Sequence, residues 1–169
     1  PVKYECTDPS LTFDRHQRLD RAAAMGLRYL FARSGPASAP AWATGAFKAT
    51  DPSSDYPDLQ VFFIPMVIVE DPRDRGMRVK KGLPGFELDV NQMHPASHGT
   101  LKLRSTDPRD HPQLDPRYLS AEKDRTEMIE AVKWARELAN QPAFEGVRGT
   151  ELSPGANAQT DEEILNGVA

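Results

Sequence analysis

The sequence predicts an α+β fold: a mainly antiparallel β-sheet flanked by helices on one face. Three observations lead there. Several segments alternate apolar and polar residues, or are rich in β-branched and aromatic residues, between turn-forming clusters. Two longer stretches carry apolar residues at three- and four-residue spacing, which is helical. The strand-like segments follow one another at hairpin-like distances, with no internal repeat and no low-complexity tract.

Taken in order, Val2 to Cys6 alternates and reads as a short half-buried strand, ended by Asp8-Pro9-Ser10. From about Arg15 to Arg33, Leu19, Ala22, Ala23, Met25, Leu27, Leu30 and Phe31 recur at mixed three- and four-residue spacing, which reads as an amphipathic helix with Asp14 as N-cap. Gly26 weakens the middle of that helix, and Gly35-Pro36 stops it. Ala41 to Thr50 reads as a strand or extended segment in which Gly45 suits a close backbone approach. Leu59 to Glu70 is the strongest strand. It is apolar on both alternating faces, so a central place is expected, with one face toward helices and the other toward a second layer or a cavity. Pro65 demands a bulge or break there.

Asp71 to Gly85 reads as a polar surface loop, mobile, with three glycines. Gly85 to Met93 alternates with Phe86, Leu88 and Val90 on one side. Thr100 to Ser105 follows with Leu101 and Leu103 inward, as its antiparallel neighbour. Two Asp-Pro turns then lead to the clearest helix, about Ala121 to Asn140, with Ser120 as cap and Glu122 and Asp124 at the positive end of its dipole. Its apolar stripe is Met128, Ala131, Val132, Ala135, Leu138 and Ala139, and Pro142 ends it. Arg148 to Gln159 reads as loop. Thr160 and Glu163 form a capping box for a helix from Asp161 to about Asn166, and the stop soon after it points to a chain cut inside a larger fold.

Composition narrows the function classes. The formal net charge is -4, with both signs mixed along the chain and no basic block, so no nucleic-acid partner is expected. Cys6 is the only cysteine, which excludes an internal disulfide and any multi-cysteine metal site. It fits a reducing compartment, and a cytoplasmic location is expected. The longest apolar run, Val61 to Val69, is too short to span a bilayer and contains Pro65.

The chemistry-bearing residues are few. His94 and His98 stand four apart, the spacing of a helical zinc pair, but Pro95 and Gly99 argue against a helix there. Asp107, Asp110 and His111 are explained by turns, so no metal site is expected. No Gly-x-Ser-x-Gly presents a serine nucleophile, Ser97 is merely adjacent to His98, and Cys6 reads as a buried structural thiol. No Gly-x-Gly-x-x-Gly or Walker-type loop is present, and Gly82-Leu83-Pro84-Gly85 is a turn. Phe62 and Phe63 are neighbours in the central strand and must point to opposite sides, so one of them can line a pocket.

The pattern Pro95-x-Ser97-x-Gly99-x-Leu101-x-Leu103-x-Ser105-x-Asp107-Pro108-Arg109-x-x-Pro112-x-x-Asp115-Pro116-x-Tyr118-Leu119 resembles the opening of the C-terminal region of glucose–methanol–choline (GMC) flavin oxidoreductases. The likeness continues through Gln141-Pro142-Ala143-Phe144, Arg148-Gly149-x-Glu151-Leu152, Ser153-Pro154-Gly155 and Thr160-Asp161-Glu162-Glu163. Gly45-Ala46-Phe47 and Pro57-Asp58-Leu59-Gln60 resemble the choline dehydrogenase and oxidase branch with its related bacterial alcohol dehydrogenases. His98 stands where the family more often has Arg. Phe62 stands where choline-acting members usually have a histidine, which points to a less polar or aromatic alcohol instead of choline.

The resemblance implies that residues 1–169 form one substrate-binding domain of a larger FAD enzyme, with 94–169 starting the GMC C-terminal region. It implies an antiparallel sheet with helices behind it and an open face roofing the flavin. It implies oxidation of a primary alcohol to an aldehyde by hydride transfer to FAD in the parent, with this chain alone inactive. The catalytic histidine and its partner histidine or asparagine are expected beyond Ala169, so no catalytic residue is expected in the chain. No cofactor-binding residue is assigned. Substrate contact is expected from Phe62 or Phe63. The partners implied are the FAD-binding domain of the same protein and a small alcohol. Two alternatives stand beside this reading: a free-standing binding or scaffold domain without catalysis, and a small metal-dependent hydrolase using His94, His98 and His111.

Overall fold

The computed structural model describes residues 1–169 apart from 39, 41, 43, 72–75, 80–82 and 169, and the side chains at 70, 71 and 76–79 also fall outside it. The strands are β1 (Val2–Cys6), β2 (Thr44–Lys48), β3 (Leu59–Ile64), β4 (Ile68–Asp71), β5 (Gly76–Val79), β6 (Gly85–Gln92), β7 (Thr100–Lys102), β8 (Gln113–Asp115) and β9 (Arg148–Ser153). The α-helices are α1 (Leu19–Ala32), α2 (Glu122–Ala139) and α3 (Asp161–Val168). Five strands form one antiparallel sheet in the order β2-β3-β6-β1-β9, while β4–β5 and β7–β8 form separate hairpins.

The sheet's alternation explains the layers. Val2, Tyr4 and Cys6 of β1, Phe86, Leu88 and Val90 of β6, and Leu59 and Val61 of β3 share one face. That face packs on α2, and Ile164 of α3 completes the core. The helix α2 buries a broad arc, Ile129, Ala131, Val132, Trp134, Ala135 and Ala139, because it lies between the sheet and α3. Met128 and Leu138, read from the sequence as part of the stripe, are half-buried against the same core. A buried polar tie joins the far end. Arg136 of α2 holds Glu151 of β9 at 2.7 Å, and the Tyr4 hydroxyl donates to the same carboxylate at 3.1 Å. Arg136 also donates to the carbonyl of Ala158 at 2.8 Å.

Several sequence expectations need correction. The first helix starts later than expected. Phe13–Gln17 is a 3-10 turn, Arg18 is extended at the N-cap, and Asp14 accepts from Gln17 instead of capping α1. Leu19, Leu27, Leu30 and Phe31 form the expected stripe, yet α1 buries none of its residues, because among the described residues it packs mainly on the 3-10 turns beside it. The strand read from Leu59 to Glu70 breaks at Pro65 into β3 and β4, as proline's missing N–H requires. Within the expected 71–85 loop, Gly76–Val79 pairs with β4, and 72–75 and 80–82 lie outside the described residues.

β7 pairs with β8 and not with β6, because the Asp-Pro turns fold the chain back locally. Leu101 and Leu103 are 67% and 78% exposed, not inward. Arg148–Ser153, expected as loop, is the edge strand β9. The Thr160–Glu163 capping box is present: Thr160 N donates to Glu163 Oε2 at 2.8 Å, and Glu163 N to Thr160 Oγ1 at 3.3 Å.

Candidate functional site

The face of the sheet turned away from α2 is the candidate site. In β3 the alternation sends Leu59, Val61 and Phe63 to the core side and Gln60 and Phe62 to the other. Pairing with β2 and β6 builds two cross-strand rungs there. The first is Gly45–Phe62–Asp89, and the second is Phe47–Gln60–Asn91. Phe47 is 56% exposed, and Gln60, Phe62, Asp89 and Asn91 are half-buried.

Gly45 explains how the Phe62 ring fits. A Cβ at Gly45 would stand 2.8 Å from the Val61 carbonyl oxygen and 3.3 Å from Phe62 Cδ1. The absent side chain therefore lets β2 approach β3 and leaves the space the ring uses. The close approach expected of Gly45 is present.

One end of this face is closed. After Pro65 the chain crosses over it, with Met66 and Val67 buried and Ile64 beneath. Lys3 and Glu87 pair at 3.2 Å, and both reach Ile68: Glu87 accepts its N–H and Lys3 donates to its carbonyl. The rungs of Phe62 and Gln60 lie beyond this closed end. They form a shallow wall of two aromatic rings, two amides and one carboxylate.

Of the two phenylalanines singled out in the sequence, the structure separates them by face. Phe62 is on the open face. Phe63 packs with Phe86 at 5.6 Å and Phe144 at 6.0 Å between ring centres. With Cys6, Pro65 and Val147, these rings line an apolar cavity of about 160 Å³ on the helix side. Cys6 is buried, and its thiol donates to the Asp8 carbonyl at 3.3 Å. Phe47, Gln60, Asp89 and Asn91 were not singled out from the sequence. Their shared parity with Phe62 becomes meaningful only once the strand register is known.

The histidines do not converge. His94 is exposed, edge-on to Tyr56 with ring centres 6.5 Å apart, and His98 and His111 are exposed. Among the described residues no three His, Cys, Asp or Glu side chains gather to hold a metal ion.

The loop around them has structural partners. The amides of Ala96 and Ser97 each donate to the Asp124 carboxylate at 2.7 Å, and the Ser97 hydroxyl accepts the Ala121 N–H at 3.0 Å. Ser97 thus reaches the start of α2, where Ser120 was expected to act and Ala121 occupies the N-cap. Asp124 is 1% exposed, and the Ser97 and Ala96 hydrogen bonds hold its carboxyl below the usual range. Gly99 has no room for a side chain, since a Cβ would lie 2.2 Å from the Asp115 carbonyl oxygen.

A flavin dinucleotide needs donors for its diphosphate, usually a glycine-rich turn into a helix N-terminus. Here α1 is entered through Arg18, α2 through Ala121 and α3 through Thr160, none of them a glycine-rich turn. None of these three helix starts is the phosphate-binding turn that holds the diphosphate of FAD. The open face fits a different task, a wall against which a small organic molecule can lie.

Known proteins resemble this chain in sequence and in fold. Residues 95–168 match the family model described as GMC oxidoreductase. The oxygen-dependent choline dehydrogenases of Staphylococcus aureus strains JH9 and Newman are 32% identical over 167 residues, which is 99% of this chain and 28% of each relative. The chain therefore spans less than a third of the curated relatives it matches. Among solved structures, the Aspergillus oryzae formate oxidase variant R554A superposes with a TM-score of 0.80 at 17% identity, over 99% of this chain and 33% of that one. Pyridoxine 4-oxidase from Mesorbium loti gives a TM-score of 0.62 at 21% identity, over 73% of this chain and 24% of that one. These structural likenesses establish the shared α+β fold. Among the described residues no helix is long and apolar enough to cross a membrane.

Proposed function

We propose that the chain belongs to the GMC oxidoreductase family, whose model matches residues 95–168, and that residues 1–169 are the substrate-binding domain of an FAD-dependent alcohol oxidoreductase, with 94–169 starting its C-terminal region. The observation that carries the reading is the open sheet face: Phe62 lies between Gly45 and Asp89 on the side away from α2. In the parent, FAD held by the rest of the protein supplies the hydride acceptor for oxidation of a primary alcohol to an aldehyde.

The part assigned to this chain is to bind and orient. Phe62 and Phe47 offer apolar surface to the carbon skeleton of an alcohol, and Gln60, Asn91 and Asp89 offer polar groups at its edge. Removal of the hydroxyl proton is assigned to a histidine outside residues 1–169, so the chain contributes selectivity and not the proton acceptor. With Phe62 at its centre, the wall suits a less polar or aromatic alcohol. The FAD-binding domain of the same protein is its partner. A cytoplasmic location belongs to this reading, supported by the single unpaired Cys6.

The test uses the full protein that carries this chain. Anaerobic flavin bleaching is followed with benzyl alcohol and with choline. Faster bleaching by benzyl alcohol is expected. Phe62→Ala should raise KM for it about tenfold, as loss of a partly buried aromatic contact does, and leave kcat less affected. A protein without flavin, or one bleached faster by choline in both forms, overturns the reading.

A further inference from the structure

A group of basic side chains lies beside α1. Arg15 and His16 come from the Phe13–Gln17 turn. Arg21, Met25 and Arg28 stand at i, i+4 and i+7 on one side of α1, and Pro36 closes the end. Together they line a cleft of about 270 Å³ with no carboxylate among the described residues of its wall. Among the described residues its arginines donate to neutral oxygens: Arg15 to the Ser10 carbonyl at 3.0 Å, Arg21 to the Arg15 carbonyl at 3.4 Å, Arg28 to the Ser34 hydroxyl at 3.2 Å. The acids nearby in sequence are engaged elsewhere. Asp20 pairs with Arg18 at 3.2 Å, and Asp14 accepts from Gln17 at 3.0 Å.

Arg28 is placed by the backbone beyond the helix. Gly35 has φ +92°, and a Cβ there would sit 3.0 Å from Arg28 Cδ. Glycine both permits the left-handed turn and makes room for the arginine stem. Three arginines line the one cleft, so an anion seated there is attracted by all three charges. Burial, and then the charges of Arg15 and Arg21, hold the His16 pKa below its usual value.

We infer that this cleft binds a small phosphorylated anion, with Arg15, Arg21 and Arg28 as its donors. Guanidinium forks match phosphate oxygens in paired hydrogen bonds, and three positive charges favour a doubly or triply charged ligand over a monocarboxylate. The cleft lies just below the roughly 300–1,000 Å³ of a drug-sized site, which suits a phosphate monoester or a diphosphate. No open-face residue lines it, so the site stands apart from the alcohol-binding reading.

The test is calorimetric titration of the full protein with inorganic pyrophosphate at low ionic strength. One-site saturable binding is expected. The double variant Arg21→Gln/Arg28→Gln should weaken it by roughly tenfold or more, since charge-assisted bonds are lost. Arg109→Gln, at an exposed arginine outside the cleft, should leave it unchanged. Both cleft arginines are exposed, so the double variant keeps its fold, checked by circular dichroism. Absence of saturable binding, or equal affinity in the double variant, overturns the proposal. So does a fall in the thermal midpoint of the double variant without any pyrophosphate dependence, which would assign the arginines to carboxylates elsewhere in the protein.

Discussion

The Ser97 amide donates to the Asp124 carboxylate at 2.7 Å across 27 residues of chain. Together with the Ala96 amide and the Ser97 hydroxyl, this contact docks the HPASHG loop on the first turn of α2. It gives a physical reason for the serine in the family pattern. Ser97 satisfies an amide at the helix start that no local side chain reaches.

Ser97→Ala removes the acceptor for Ala121 N–H. A loss of about 1 kcal/mol of stability is expected, in the range of a lost N-terminal helix partner. Urea unfolding should show the midpoint lowered with the slope unchanged.

Asp124 gives the protein an acid limb. Its folded carboxyl titrates below its ordinary value, because the Ser97 and Ala96 hydrogen bonds favour the charged form. Between the depressed folded value and the ordinary unfolded one, the unfolded chain holds more protons. Stability is therefore present above the unfolded value and falls as pH drops through the folded one. Asp124→Asn should lower the thermal midpoint at neutral pH and flatten its dependence on pH below about 4, where unfolded Asp titrates.

Tyr4 acts at the opposite end of the scale. Burial first, and then the Glu151 carboxylate, push its phenol from 10.0 up to about 12. The unfolded tyrosine loses its proton first as pH rises. Its contribution is thus complete below pH 10.0 and lost toward about 12. Ultraviolet titration should show a late-ionising tyrosine that is lost in Tyr4→Phe, and a curve left unchanged above pH 10.0 by that substitution would contradict this placement.

Gly45→Ala probes the open face without touching Phe62 itself. The new methyl group meets the Val61 carbonyl and the Phe62 ring, so β2 must back away. A stability loss of about 1–2 kcal/mol is expected, as for overpacking. In the full protein the ratio of kcat/KM for benzyl alcohol to that for a small aliphatic alcohol should change, and an unchanged ratio would remove Phe62 from the substrate wall.

Much of this fold was legible where a strong period coincided with burial. Strands β1, β3 and β6 alternate and form the middle of the sheet, and α2 carries an apolar face because it covers them. Edge strand β9 was illegible. Arg148–Ser153 contains one large apolar residue, Leu152, and is held through the β1 ladder and the Arg136–Glu151 pair. Leu101, Leu103, Leu27 and Phe31 show the converse. Their patterns are regular, yet they face outward in this chain, because an apolar period specifies a side and not what covers it. The Phe62/Phe63 pair announced opposite directions, but which ring joined the core depended on the register with β6. The arginine cleft left no local motif, since its members come from two elements joined only by the fold.

The two rungs also set how the open face can change by mutation. Single substitutions at positions 45, 47, 60, 62, 89 and 91 alter one surface while the core behind stays intact. A one-residue insertion in β3 is a different event. It would turn Phe62 inward and Phe63 outward, exchanging a wall residue for a core residue across the sheet. A change of length that keeps this face is therefore accommodated in the turns around β3 and not within the strand.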